Sequence, residues 1–303
     1  MHQPSGQQFP LAAGEQRATV TEVGAGLRAY SVSGRDVLDG YPPEEMCKSG
    51  RGQVLMPWPN RIAGGTYEWD GRRLQLPLTE VANGNAIHGL VRWNAWRVQE
   101  QETDRVLLAH RLHPQPGYPF DLDLRVEYSL AADGLTVRTT ATNLGDDDAP
   151  FGAGAHPYLT HATVPVDPLE LRIPAHTVLE ADERGIPVSV TSVEGSPLDF
   201  REPRAIGDTV LDHAFTDLIR GDDGRARARL TGADSAIELW VGGHYTHLMV
   251  FTGDPLPDVN RRAVAIEPMT CPPNAFATGD GVIRLEPGRT IELAWGLQIT
   301  PLG

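Results

Sequence analysis

Cysteine is almost absent: Cys47 and Cys271 are the only two in 303 residues. Two thiols so far apart make neither a disulfide framework nor zinc-finger spacing, and they fit a reducing compartment. Positive charge is in deficit, with 26 Lys and Arg against 40 Asp and Glu, a net charge of −14 and a pI near 5.1. Such a surface repels phosphate backbones and anionic membranes, so neither nucleic acid nor a lipid headgroup is an expected partner. No apolar run approaches the roughly 20 residues of a membrane span. The N-terminal "MHQPSGQQFPLAAGEQ" lacks a basic region and an apolar core, and does not read as a signal peptide. A soluble, cytoplasmic protein is expected. Long amphipathic helices, low-complexity linkers and short repeats are also missing, which leaves one domain over residues 1–303 as the expectation.

What the chain does have is glycine and proline, 32 and 25 of them, cutting it into short pieces with period-two alternation. In "LDLRVEYSL" Leu122, Leu124, Val126, Tyr128 and Leu130 share one face; "AADG" turns, and "LTVRTTATNL" alternates again, predicting a hairpin over 122–144. "RARARL" and "AIELWV" predict a second hairpin, residues 96–112 a third pair, and "RTIELAWGLQI" a strand with Ile291, Leu293, Trp295, Leu297 and Ile299 on one face. Many short strands with turns between them indicate an all-β sandwich or barrel with few short helices.

Some signals point nowhere. "GAGLRA" has dinucleotide-fingerprint spacing but is followed by a strand and turn where a helix is required. The pairs His110/His113 and His244/His247 sit in strand-like sequence, where residues three apart face opposite sides, so no metal site is expected.

Five segments are unusual for a plain scaffold. Asn60 and Arg61 in "MPWPNRIAGG" occupy a fixed loop, Arg61 offering a planar fork of donors or serving a structural ion pair. His88 in "NGNAIHGLVRW", with Asn85 before it, is either a ligand-facing imidazole or a bonded core residue. His156 in "FGAGAHPYLT" follows small residues that clear space around it, with Tyr158 close behind. Asp212 in "LDHAFTDL" fits a hydroxyl acceptor or a strand-end cap. In "RRAVAIEPMTCPPNAF" Ala263, Ala265 and Glu267 share a strand face, which suits a shallow concave surface or a glutamate ending its strand in water.

In this order, "NRIAGGTYEWDG", "AIHGLVRW", "AHPYL", "LDHAF" and "AIEPMTCPPNAF" resemble the aldose 1-epimerase (galactose mutarotase) family over nearly the whole chain. The resemblance implies a large antiparallel β-sandwich of the galactose mutarotase type, with interconversion of the α and β anomers of a free aldohexose and neither metal nor organic cofactor. It implies Glu267 as general base, His156 as general acid, His88 assisting at the ring oxygen, and Arg61 and Asp212 holding hydroxyls. Asn60, Asn85 and Tyr158 are further candidates for sugar contact, with Trp58 and Trp93 as stacking surfaces. Partial burial is expected to raise the pKa of Glu267, and an adjacent carboxylate to hold His156 protonated. The expected partner is a small sugar, the chain acting as monomer or homodimer. The chain departs from the common family pattern with His88-Gly89-Leu90 in place of His-Gly-Gly, and with Ala155 in place of Asn before His156. A subgroup with "HPY" and "IEPMTC" is nearer, and some of its members are linked to sulfoquinovose. Rival expectations are a hexose 6-phosphate mutarotase using Arg61, Arg72, Arg73 and Arg92, a non-catalytic sugar-binding module, and a glycosidase using Asp212 and Glu267 as its carboxylate pair.

Overall fold

The alternating segments become strands because each can bury one face. In the computed structural model, which describes residues 3–161, 165–257 and 259–302, Leu122–Ala131 pairs antiparallel with Gly134–Asn143 through the predicted turn. Leu122, Leu124, Val126, Tyr128 and Leu130 are all buried. Arg97–Gln101 pairs with Arg105–Leu112, and Ala226–Thr231 with Ser235–Val241, as the alternation predicts. The long strand Thr290–Pro301 lies between Gly134–Asn143 and Ser235–Val241 and joins these hairpins into one nine-stranded sheet.

A second, eight-stranded sheet carries the site. Its path runs from Pro187–Ser192 through Ala175–Ala181, Asp212–Leu218, His247–Phe251 and Val264–Met269 to Gly154–Ala155 and Val54–Leu55, and Tyr158–Leu159 also pairs with Val264–Met269. One face of this sheet contributes Val178, Phe215, Leu248, Val250, Val264 and Ile266 to a core shared with Leu124, Val126, Tyr128 and Trp295 of the nine-stranded sheet. Each such side chain contributes about 1.5–3 kcal/mol by leaving water. The chain is therefore an all-β antiparallel sandwich, as its alternating segments predict. Among the described residues the only α-helix is Ala275–Thr278. A smaller four-stranded sheet spans Gln8–Asp36. The "GAGLRA" glycines lead into the strand Leu27–Val32.

The opposite face of the eight-stranded sheet is left for something else. Cross-strand register aligns Glu267 with Met249, Met249 with Ala214 and Ala214 with Leu179 in one row. The adjacent row aligns Ala265 with Phe251 and Phe251 with Asp212. Period two puts both rows on the same side.

Candidate active site

That side forms the floor of a cavity of about 760 Å³. Its walls include Asn60, Arg61, Glu80, His88, Arg92, Trp93, His156, Tyr158, Asp212 and Glu267. The sheet ladder assembles the central pair. Gly154 stands opposite Met269 and Tyr158 opposite Ala265, which sets His156 directly across from Glu267. The imidazole Nε2 lies 3.3 Å from the Glu267 carboxylate oxygen Oε1, both groups buried. A loop covers His156 closely: Gly50 has φ +73°, and a Cβ there would come within 2.6 Å of the imidazole Cδ2. Tyr158 stacks on His156 at 4.9 Å between ring centroids, and its hydroxyl donates to the Ser49 carbonyl at 2.9 Å. His88, at φ +63°, meets His156 edge-on at 5.4 Å, and its backbone N–H donates to the Asn60 carbonyl.

Burial dominates the titration of the pair. It pushes the Glu267 carboxyl well above its ordinary range; the charge of Asp212 adds to this and that of Arg61 opposes it. Burial likewise depresses His156 to about 3, with the charges of Arg92 and Arg61 acting in the same direction. The expectation that a neighbouring carboxylate keeps His156 protonated is thus corrected: the same dry surroundings that depress the imidazole deny Glu267 a fixed negative charge. His88 is also held below its ordinary value, first by burial and then by His156, Arg92 and Arg61. Asp212 reaches solvent at the cavity mouth, while crowding by the wall raises its carboxyl against the pull of Arg61 and His213.

Several polar atoms here have no protein partner. Nδ1 of His88, Nδ1 of His156 and Oε2 of Glu267 are buried without a hydrogen bond. Each such group costs about 1–3 kcal/mol unless something supplies the bond. A molecule rich in hydroxyls offers donors and acceptors in the required number.

Arg61 opens the strand Arg61–Ala63, paired with Asn85–Ile87. Its Nε and Nη2 donate to Glu80 at 2.9–3.2 Å. Asn274, at φ +67°, ties the Glu267 segment to this strand: its N–H donates to the Arg61 carbonyl, and its Oδ1 accepts from Ala63 N–H.

Other sequence expectations need correction. Asn85 is fully buried outside the cavity wall, its amide donating to Glu80 at 2.8 Å and to the Arg184 carbonyl at 2.9 Å. Asn60 lines the cavity, with its Oδ1 accepting from Arg61 N–H. Ala263 and Ala265 do not make a floor for a ligand; they pack with Tyr158 and Val259, the small side chains making room for the tyrosine ring. Trp58 is buried against Phe276, whereas Trp93 is 48% exposed on the cavity wall. Arg72 pairs with Asp147 at 3.1 Å, and neither Arg72 nor Arg73 reaches the cavity, so the four-arginine phosphate cluster is not assembled. Among the described residues no three His, Cys, Asp or Glu side chains gather in a metal-binding group. No described helix is long and apolar enough to cross a membrane. Glu80, Met249 and Phe251 were not singled out by the sequence; register places the last two beside Glu267 and Asp212, and nothing in the local pattern around Glu80 marks it.

Comparison with known proteins decides the family. The aldose 1-epimerase profile matches residues 7–297. The chain belongs to the aldose 1-epimerase family. Within it, the uncharacterized protein YihR of Escherichia coli K12 is 38% identical over 297 residues, 97% of this chain and 93% of YihR. Human galactose mutarotase is 29% identical over 234 residues, 69% of this chain and 66% of its own length. Among solved structures, the GalM/aldose epimerase homologue of C. elegans superposes with a TM-score of 0.87 at 18% identity, covering 98% of this chain and 99% of its own. Galactose 1-epimerase of Lactobacillus acidophilus NCFM gives 0.82 at 20% identity, over 96% and 93%. This aldose 1-epimerase family member therefore shares the epimerase sandwich with structures to which its sequence is only distantly similar.

Proposed function

We propose that the cavity binds a free aldohexose and interconverts its α and β anomers, with Glu267 as base and His156 as acid. The observation that carries this reading is the buried Glu267–His156 pair facing a cavity with unpartnered polar atoms. Glu267 takes the proton of the C1 hydroxyl as the C1=O bond forms. The C1–O5 bond breaks, and O5 takes a proton from His156. After a half-turn about C1–C2 the ring recloses by the reverse transfers. Each proton transfer contributes about 10²–10⁴-fold. The pair holds one proton throughout; it moves from His156 to Glu267 through the sugar and back. In the empty site burial favours its residence on Glu267, and hydroxyls donating to that carboxylate make the alternative placement accessible. His88 serves the ring oxygen, Arg61 and Asp212 the hydroxyls, and Asn60 and Tyr158 complete the wall.

A second reading, a mutarotase of an acidic sugar, is favoured by Arg92. Its guanidinium lines the cavity 5.5 Å from the centre of the Trp93 ring, with Cys47, His88 and His156 within electrostatic reach and no carboxylate paired with it among the described residues. A single uncompensated guanidinium suits one singly charged substituent, such as the sulfonate of sulfoquinovose, better than a phosphate dianion.

The test follows optical rotation from pure α-anomers of glucose, galactose, glucuronate, glucose 6-phosphate and sulfoquinovose. Accelerated anomerisation supports the reaction. A loss of only the acidic substrates in Arg92→Gln selects the second reading. Binding without acceleration on any sugar would replace both with a sugar-binding module.

A further inference from the structure

We propose that Glu80 is a positioning residue that aims Arg61 into the cavity and balances its charge beside the Glu267–His156 pair; this rests on the mutarotase reading. The Glu80 carboxylate accepts Nε of Arg61 at 3.2 and 3.0 Å and Nη2 at 2.9 Å, which fixes the guanidinium plane. Glu80 is itself held: Asn85 Nδ2 donates to it at 2.8 Å, and Asn85 Oδ1 accepts from Arg184 at 3.2 Å. Arg184 in turn donates to the carbonyls of Asn83 and Gly84. Gly185, at φ +74°, lies against the guanidinium so closely that a Cβ there would come within 2.6 Å of Nη1. The clamp leaves Nη1 with no protein acceptor among the described residues, on the edge free to meet a ligand oxygen.

The same clamp governs charge. The groups facing Glu267 are His156 beside it, Asp212 two strands away in the same sheet, Arg61 and the Tyr158 hydroxyl, with His88 and Arg92 beyond His156. A bare guanidinium among them stabilises the Glu267 carboxylate and opposes an imidazolium at His156. A carboxylate in contact with Arg61 cancels most of that field. Burial works against ionisation of Glu80, yet the hydrogen bonds from Arg61 and Asn85 hold its carboxyl below the ordinary range, so it is negative at neutral pH.

The experiment is a ¹³C NMR titration of the Glu267 carboxyl in the ligand-free full chain, for the natural sequence, Glu80→Gln and Glu80→Asp. Glu80→Gln is expected to lower the Glu267 midpoint by about 0.5–1 pH unit, and Glu80→Asp, which keeps the charge, to leave it in place. Calorimetric Kd for D-galactose is expected to weaken about tenfold in both, because neither keeps the two-point clamp. An unmoved midpoint in Glu80→Gln overturns the charge role, and an unchanged Kd in both overturns the aiming role. If Glu80→Gln does not fold, Arg61→Gln tests the same field with the opposite sign, the midpoint rising beside an uncompensated Glu80. The titration needs no turnover, so a chain inactive on every sugar would defeat the proposed reaction and leave this result readable.

Discussion

Glu267 and His156 are each held in the protonation state that burial prefers, and this has separate consequences for activity and stability. Glu267→Gln and His156→Asn are each expected to lower kcat by about 10²–10⁴-fold, measured by polarimetry, with the circular dichroism of the fold retained. Their stability effects should differ in pH dependence. The folded-state pKa of Glu267 lies above its ordinary 4.5, so stability is fullest below that value and falls as pH rises through the folded pKa. Glu267→Gln removes this loss and should raise Tm increasingly as pH rises above 4.5. The folded-state pKa of His156 lies near 3 against an ordinary 6.5, so stability is lost as pH falls below 6.5. His156→Asn should therefore flatten the acid side of the Tm profile and leave its slope above pH 7 unchanged. Equal Tm shifts at all pH values in both variants would defeat this account. At this scale the sequence was informative where chemistry is unusual. A glutamate closing an apolar strand and histidines among small residues stood out, and they come together in one cavity. Asn85 looked similar but serves Glu80, because a buried amide is as useful to the protein as to a ligand. Glu80 sits in an ordinary polar turn, and its value depends on Arg61, which no local pattern reveals.

Secondary-structure elements supply the precision these groups need. His156 follows the short strand Gly154–Ala155 and precedes Tyr158–Leu159, both hydrogen-bonded to the strand of Glu267. Gly50 presses on the imidazole from the other side. Gly50→Ala combines a positive φ with a clash against His156, so kcat should fall about tenfold or more, as a displacement near 1 Å can cost up to about 10²-fold, while KM changes less. A normal kcat in this variant would show that the loop does not hold the ring. The hairpins were legible because strict alternation is forced wherever one face is buried, as in Leu122–Ala131. The site sheet was harder to read. Its strand Val264–Met269 is buried along its whole length, which erases the polar half of the pattern. The alanines beside Glu267 suggested an open floor, but the sequence cannot show that the Tyr158 ring returns to fill it.

For the whole molecule, the net charge of −14 makes copies repel one another at neutral pH. Light scattering should rise as pH approaches 5.1, the same range in which His156 begins to oppose folding, and should fall again with added salt if only charge is involved. The class of fold was legible from turn spacing, whereas the order of strands was not, because neighbours such as Gly134–Asn143 and Thr290–Pro301 are joined by no short loop. One arrangement has a wider consequence. His156 lies between two short strands that both pair with the strand of Glu267, and it meets that carboxylate although more than a hundred residues separate the two along the chain. Their spacing is therefore set by interstrand geometry and is indifferent to the length of what intervenes. Lengthening an exterior bend such as 221–224 should leave the Glu267–His156 distance untouched, giving natural variation or an engineer freedom to reshape the periphery around an unchanged centre.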